Sequence, residues 1–304
     1  IATVAAAIFL AYVARYLVED RRRRQIQAAF GHYLAPSIVQ QLANADAPPK
    51  LGGETGAVSV MFADLSGFTA LSGRVGPEAL VAMTNTYLGY IAEAVEQTGG
   101  YVDKFIGDAV MAIWGAPVAD PDHAANAVRA ARAAIARVDA APAEALGRGE
   151  HGFRVKIGIH SGLATVGNVG WLRRFNYTAI GETVNIAARL ESVPGDYACR
   201  LVVGDTTAAA AAGAFAFCEL DWLRVKGKVE PIGVYEPLGP ADAANANDGS
   251  AAGHAAAPAA YRAGGSARAR DQCADLARGA GGVGTVPARV HDALVAARAR
   301  PALH

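Results

Sequence analysis

The sequence predicts an α+β domain with the split βαβ, ferredoxin-like element order β-α-β-β-α-β, and three observations carry that reading. "AVSVMFADL" (57–65) is an apolar run of strand length, and the following "PEALVAMTNTYLGYIAEAVEQTGG" (77–100) has a helix's proline start and Gly-Gly end. The apolar runs Tyr101–Ile106 and Ala109–Trp114 are split by the tight pair Gly107-Asp108, as in a β-hairpin. A second helix from about Pro121 to Val138 and the strand "FRVKIGIHSG" (153–162) complete the unit.

The flanking segments follow in chain order. "IATVAAAIFLAYVARYLV" (1–18) is about as long as a membrane span requires, is broken by Arg15, and leads into "EDRRRRQ". A basic cluster after an apolar run marks a cytoplasmic flank, so residues 1–18 read as the C-terminal part of a transmembrane helix. A buried core helix is the alternative. A signal peptide fits less well, because the basic residues follow the apolar run and no small-residue cleavage site appears. The expected location is the cell membrane, with everything after Arg24 cytoplasmic. Residues 19–50 form a linker in which Phe30, Leu34, Ile38 and Leu42 recur every four residues along a helix interrupted at Pro36. Such a stripe can pair with a copy of itself. "APPKLGGETG" (47–56) reads as a connecting loop.

Beyond the βαββαβ unit come "LATVGNVG" (163–170), the helix "TVNIAARLESV" (183–193), the strand "RLVVG" (200–204) and the strand-rich "FCELDWLRVKGKVEPIGVYEP" (217–237). These close one domain over residues 51–238. Residues 239–304 form an Ala/Gly-rich tail with little capacity for a core, disordered or weakly helical. Its "GAGGVG" (279–284) matches the G-x-G-x-x-G spacing by chance, since no strand precedes it and no acidic partner follows.

Composition excludes some classes. The 304 residues carry 28 basic and 28 acidic side chains, so bulk charge points to no nucleic-acid partner. The three cysteines form no C-x-x-C pattern and offer no zinc site.

In the split βαβ order the first two strands run parallel, with the third antiparallel between them. The end of strand one and the hairpin turn therefore share one sheet edge. Asp64 ends strand one and Asp108 sits in the turn, 44 residues later (108 − 64). Two carboxylates at one edge repel unless a cation lies between them, and hard cations such as Mg²⁺ or Mn²⁺ bind such pairs. Ser66, Gly67 and Phe68 then lead into a helix whose N–H groups can hold phosphate oxygens.

The stretches "FADLSGFT", "VDKFIGDAVMAIWG", "YTAIGETVNIAARLE" and "LRVKGK" together resemble the motif set of class III nucleotidyl cyclase catalytic domains, over roughly residues 50–238. The resemblance implies cyclisation of a purine nucleoside triphosphate, releasing pyrophosphate, with two Mg²⁺ or Mn²⁺ ions per active site. It implies that Asp64 and Asp108 bind metal and that Leu65 offers a backbone carbonyl. It assigns Lys104 and Thr178 to the base, Asn185 to the ribose, Arg189 to transition-state charge, and Lys226, with the Gly67–Phe68 backbone, to phosphate. The spacing of Asn185 and Arg189 puts both on one helix face. A Lys donor with a hydroxyl acceptor complements adenine, which makes ATP the expected substrate and signal transduction the expected role. A guanylate cyclase and a catalytically silent cyclase-like dimerisation or sensing domain remain the alternatives. The resemblance further implies a homodimer with shared sites. The "FGHYLAP" stretch resembles the linker of membrane cyclases that carry a CHASE2 sensor.

Overall fold

The computed structural model describes residues 12, 15, 50–68, 72–141, 154–195, 197, 199–223 and 230–241. Nearly all of the span expected at 1–18 and of the 19–50 linker, together with Lys226 and the tail beyond 241, therefore lies outside the described residues. No helix among the described residues is long and apolar enough to cross a membrane. The chain divides into two compact units, Ile1–Leu51 and Gly52–His304, and the second is described below.

Its elements are β1 (Gly52–Ser66), α1 (Pro77–Gln97), β2 (Tyr101–Ile106), β3 (Ala109–Trp114), α2 (His123–Ala140), β4 (Arg154–Trp171), β5 (Arg174–Ile180), α3 (Glu182–Leu190), β6 (Leu201–Gly204), α4 (Asp205–Ala211), β7 (Phe215–Leu223) and β8 (Ile232–Pro240). The strands form one sheet in the order β2-β3-β1-β4-β6-β8-β7, with β5 paired to β4 off that path. The stretch β2-β3-β1-β4, with β3 antiparallel to both β1 and β2, is the split βαβ order.

Side-chain alternation assigns the two faces. Met61, Ala63 and Leu65 of β1, Val155, Ile157 and Ile159 of β4, and Leu201 and Val203 of β6 pack in one core with Ile91 and Val95 of α1 and Val128 and Ala131 of α2. The intervening Val202 packs in a second core with Ile186 and Leu190 of α3 and Ile232 and Val234 of β8. Asp64, Lys156 and Gly158 alternate with the first set and so belong to the face covered by α3.

Three expectations are corrected. The "GGETG" half of the expected loop is strand: β1 begins at Gly52 and its ladder with β4 runs from Gly52 opposite Asn168 to Ser66 opposite Arg154. Glycine richness reads as a turn signal, but here Gly53 faces Gly167, and a Cβ on Gly53 would sit 2.6 Å from the Val166 carbonyl oxygen. The same ladder makes "LATVGNVG" the continuation of β4 rather than a separate segment. Helix α1 ends at Gln97 instead of Gly100, where the Trp114 indole occupies the place of any side chain. That indole is fully buried and donates to the Thr98 hydroxyl at 3.1 Å.

Helix α3 is held on β4 by close approach. Thr183 Oγ1 donates to the Leu163 carbonyl at 2.7 Å, and a Cβ on Gly158 would collide with the Leu190–Glu191 backbone. We predict that Gly158→Ala lowers stability by about 1–3 kcal/mol, the usual cost of overpacking, because the obstruction is backbone rather than a movable side chain. Urea unfolding of the variant checks this; a midpoint equal to wild type would show that α3 is not seated by this contact.

Candidate active site

The edge predicted to gather carboxylates does so. Asp64 lies opposite Lys156 near the end of β1, and Asp108 occupies the β2–β3 turn with Gly107, whose φ of 65° suits glycine. The two carboxylates lie within hydrogen-bonding reach of each other. Burial first, and then the Asp108 charge, push the Asp64 carboxyl above its ordinary value; the Leu65 backbone N–H and the Lys156 ammonium oppose that rise.

A third acid joins them. Glu191 follows the last residue of α3 and is pushed up to about 7, first by burial and then by Asp64, with Lys156 opposing and Asp108 adding. Lys156 is thus the countercharge felt by both Asp64 and Glu191. Neither Lys156 nor Glu191 was singled out from sequence. Lys156 could have been found from the antiparallel register, which puts it opposite Asp64. Glu191 depends on where α3 ends, which no local pattern states.

A crowded, partly desolvated acidic pair with one countercharge fits a divalent cation. Among the described residues no group of three or more His, Cys, Asp or Glu side chains is arranged to hold a metal ion. Asp64 and Asp108, with the Leu65 backbone, would therefore be the protein's contribution. The remaining ligands would be water and phosphate oxygens, as hard cations accept.

After Asp64 the chain turns at Gly67, with φ of 93°, and Phe68 packs against the first core. Residues 69–71 lie outside the described residues, so the phosphate-holding helix expected there is represented by Phe68 and Ser72 alone.

A second cluster lies on β2 and β5. Lys104 Nζ donates to Thr178 Oγ1 at 3.1 Å, joining residues 74 apart in the chain. Asp103 joins both: Thr178 Oγ1 donates to Asp103 Oδ2 at 2.8 Å, and Lys104 Nζ lies 3.1 Å from the same oxygen. Asp103 was hidden from the sequence because adjacent strand residues point to opposite faces. Here the β2–β3 register slips between Val102 and Lys104, leaving Asp103 as the extra residue of a β-bulge. A bulge re-aims side chains, and so Asp103 and Lys104 both reach Thr178.

Asn185 and Arg189 occupy the exposed face of α3, one turn apart, while Thr183, Ile186, Ala187 and Leu190 are buried against the sheet. The Arg189 carbonyl accepts from the Ser192 hydroxyl at 2.9 Å, at the end of the helix. Thus Asp64 with Asp108, Lys104 with Thr178, and Asn185 with Arg189 are each brought together as pairs within one chain.

Comparison with known proteins follows the same lines. Among curated relatives, adenylate cyclase 1 of Rhizobium meliloti (strain 1021) is 37% identical over 195 residues, covering 64% of this chain and 29% of its own length. Adenylate cyclase of Anabaena cylindrica is 31% identical over 183 residues, covering 59% of this chain and 36% of its own. The chain therefore spans about a third of the length of these relatives. Among solved structures, the adenylyl cyclase CyaB from P. aeruginosa superposes with a TM-score of 0.56 at 30% identity, over 62% of this chain and 96% of that one. The guanylyl cyclase Cya2 does so with a TM-score of 0.56 at 28% identity, over 62% and 95%. The family model described as the adenylate and guanylate cyclase catalytic domain matches residues 53–235, more than half of the chain, and the chain belongs to that family, the class III nucleotidyl cyclases.

Proposed function

We propose that the chain converts ATP to 3′,5′-cyclic AMP and pyrophosphate, as the catalytic part of a signalling protein, at sites shared between two copies. The observation that carries this reading is the Lys104–Thr178 contact. It sets an ammonium donor beside a hydroxyl acceptor, the complement of the N1 acceptor and 6-amino donor of adenine. The relatives named adenylate cyclase, at 31% and 37% identity, support the same substrate. A silent cyclase-like domain is disfavoured because both acidic residues and Arg189 are present.

Each side chain has a task in that reaction. The ribose 3′-oxygen bonds to the α-phosphorus, the bond from that phosphorus to the bridging oxygen breaks, and the hydroxyl proton leaves to solvent. Divalent ions, Mg²⁺ or Mn²⁺, held by Asp64 and Asp108 would supply charge neutralisation at the phosphates. Lys104 and Thr178 hold the base, and Asn185 holds the ribose in attacking orientation. Arg189 meets charge growing on the α-phosphate, where its fork of donors can grip two oxygens. Lys226, outside the described residues, is assigned to the departing phosphates.

The shared site is supported by surface apolarity beside the base readers. Phe105 and Ile106 next to Lys104, and Ile180 near Thr178, are each more than half exposed. In a symmetric pair the metal-binding acids of one protomer would face Lys104, Thr178, Asn185 and Arg189 of the other, giving two equivalent sites. The proposal also includes a membrane anchor at residues 1–18, downstream of a CHASE2-type sensor. It rests on the apolar run, the Arg21–Arg24 cluster and the "FGHYLAP" resemblance.

Three outcomes are expected. Asp64→Asn and Asp108→Asn should each lower kcat by on the order of a hundredfold or more. Their metal-free melting temperature should stay at or above wild type, since a repulsive pair is relieved. Cyclic AMP formation from ATP with Mn²⁺, beside a thermal melt, reads both; activity within about tenfold of wild type would sink the metal assignment. Asp108→Ala and Arg189→Ala, each inactive alone, should regain activity when mixed. By site count the heterodimer should reach up to about half the wild-type rate. A heterodimer that forms and stays inactive would rule out shared sites. Finally, the full chain should sediment with membranes and a chain starting at residue 51 should not; a full chain soluble without detergent would remove the anchor.

A further inference from the structure

Resting on the ATP reading above, we infer that Asp103 is a positioning residue for base selection: it fixes the Thr178 hydroxyl as an acceptor toward the nucleotide and so excludes guanine. A hydroxyl carries one donor and two acceptor lone pairs, and by itself it can serve either purine. A free Thr178 hydroxyl could accept from the 6-amino group of adenine or donate to O6 of guanine equally well. In this structure the choice is already made. The Thr178 proton is committed to Asp103 Oδ2 at 2.8 Å and one lone pair accepts from Lys104 Nζ at 3.1 Å, so that a single lone pair remains for a ligand.

The surroundings hold that arrangement in place. Thr178 is 6% exposed, which limits its hydroxyl's exchange with solvent, and the Asp103 side chain is fully buried. Lys104 Nζ lies 3.1 Å from the same Oδ2, so the carboxylate also sets the position of the second base-reading group. The bulge at Asp103 is what permits this, because a regular strand would point Asp103 away from Lys104's face. A guanine ring in the same pocket would bring O6, an acceptor, against an oxygen with no proton to give. Its N1–H donor would meet the Lys104 ammonium, a second mismatch.

The test uses the full chain and compares kcat/KM for ATP and for GTP with Mn²⁺. Asp103→Ala removes the acceptor and should lower the ATP:GTP ratio by on the order of tenfold, the equivalent of one misdirected hydrogen bond. Asp103→Leu, which fills the buried space without an acceptor, should do the same and replaces the alanine variant if that one does not fold. Asp103→Asn keeps an amide oxygen to accept from Thr178 and should hold the ratio within about threefold of wild type. Thr178→Val should itself lower the ratio, and adding Asp103→Ala to it should change the ratio by less than about twofold, since the residue acted upon is gone. If Thr178→Val leaves the ratio unchanged, the hydroxyl does not read the base and the ATP reading is what fails. If Thr178→Val lowers the ratio but Asp103→Ala and Asp103→Leu reduce ATP and GTP use equally, Asp103 is structural and the inference is wrong.

Discussion

The site depends on the antiparallel ladder between β1 and β4. Fifteen residues of β1 pair in unbroken register with β4, from Gly52 opposite Asn168 to Ser66 opposite Arg154. Because side chains alternate, a slip of one residue would turn Asp64 from the α3 face into the core of α1 and α2. The register also sets Lys156 beside Asp64 and puts Gly158 where the end of α3 must land. Helix α3 then delivers Glu191 toward the acids while presenting Asn185 and Arg189 outward. One pairing thus determines both where negative charge accumulates and where Arg189 stands.

The acidic edge is a local cost that the rest of the domain must offset. Asp64 is displaced upward by burial and by Asp108, and Glu191 by burial and by Asp64, with Lys156 as the opposing cation for both. Folded-state carboxyls held above their ordinary values contribute stability below about pH 4, where folded and unfolded chains are both protonated, and lose it as pH rises through the folded values. Above the folded values, about 7 for Glu191, the metal-free edge is therefore at its least favourable, which is also where it would have the greatest affinity for a cation. The fully buried Val60, Ile91, Ile113, Trp114 and Ile157 supply the surrounding rigidity that keeps such groups close.

Much of this was legible in the sequence, for identifiable reasons. Strand and helix periodicities revealed the βαββαβ order, and topology alone then carried Asp108 to Asp64 across 44 residues (108 − 64). The i, i+4 spacing of Asn185 and Arg189 survived because the buried residues of α3 are all on the other side. The failures share one cause. "GGETG" reads as a loop, and Asp103 draws no notice beside Lys104, when each residue is taken by itself. Glycine facing glycine across a ladder, and a bulge set by the partner strand, are properties of pairs. No single strand states them.

Asp103 shows how a pair property becomes a chemical one. Its carboxylate is fully buried, and its Oδ1 has no hydrogen-bond partner among the described residues. Leaving one such acceptor unsatisfied costs about 1–3 kcal/mol, and burial pushes this carboxyl above its ordinary value against the pull of Thr178 and Lys104. For packing alone an apolar side chain of similar size would be the more stable occupant. What an apolar side chain cannot do is accept the Thr178 proton and attract the Lys104 ammonium through the same oxygen. The local instability and the fixed orientation of Thr178 and Lys104 thus have one source, a carboxylate kept from water. In the base-selecting role proposed for it, Asp103 would join the bulge in β2 to purine choice without itself touching the ligand.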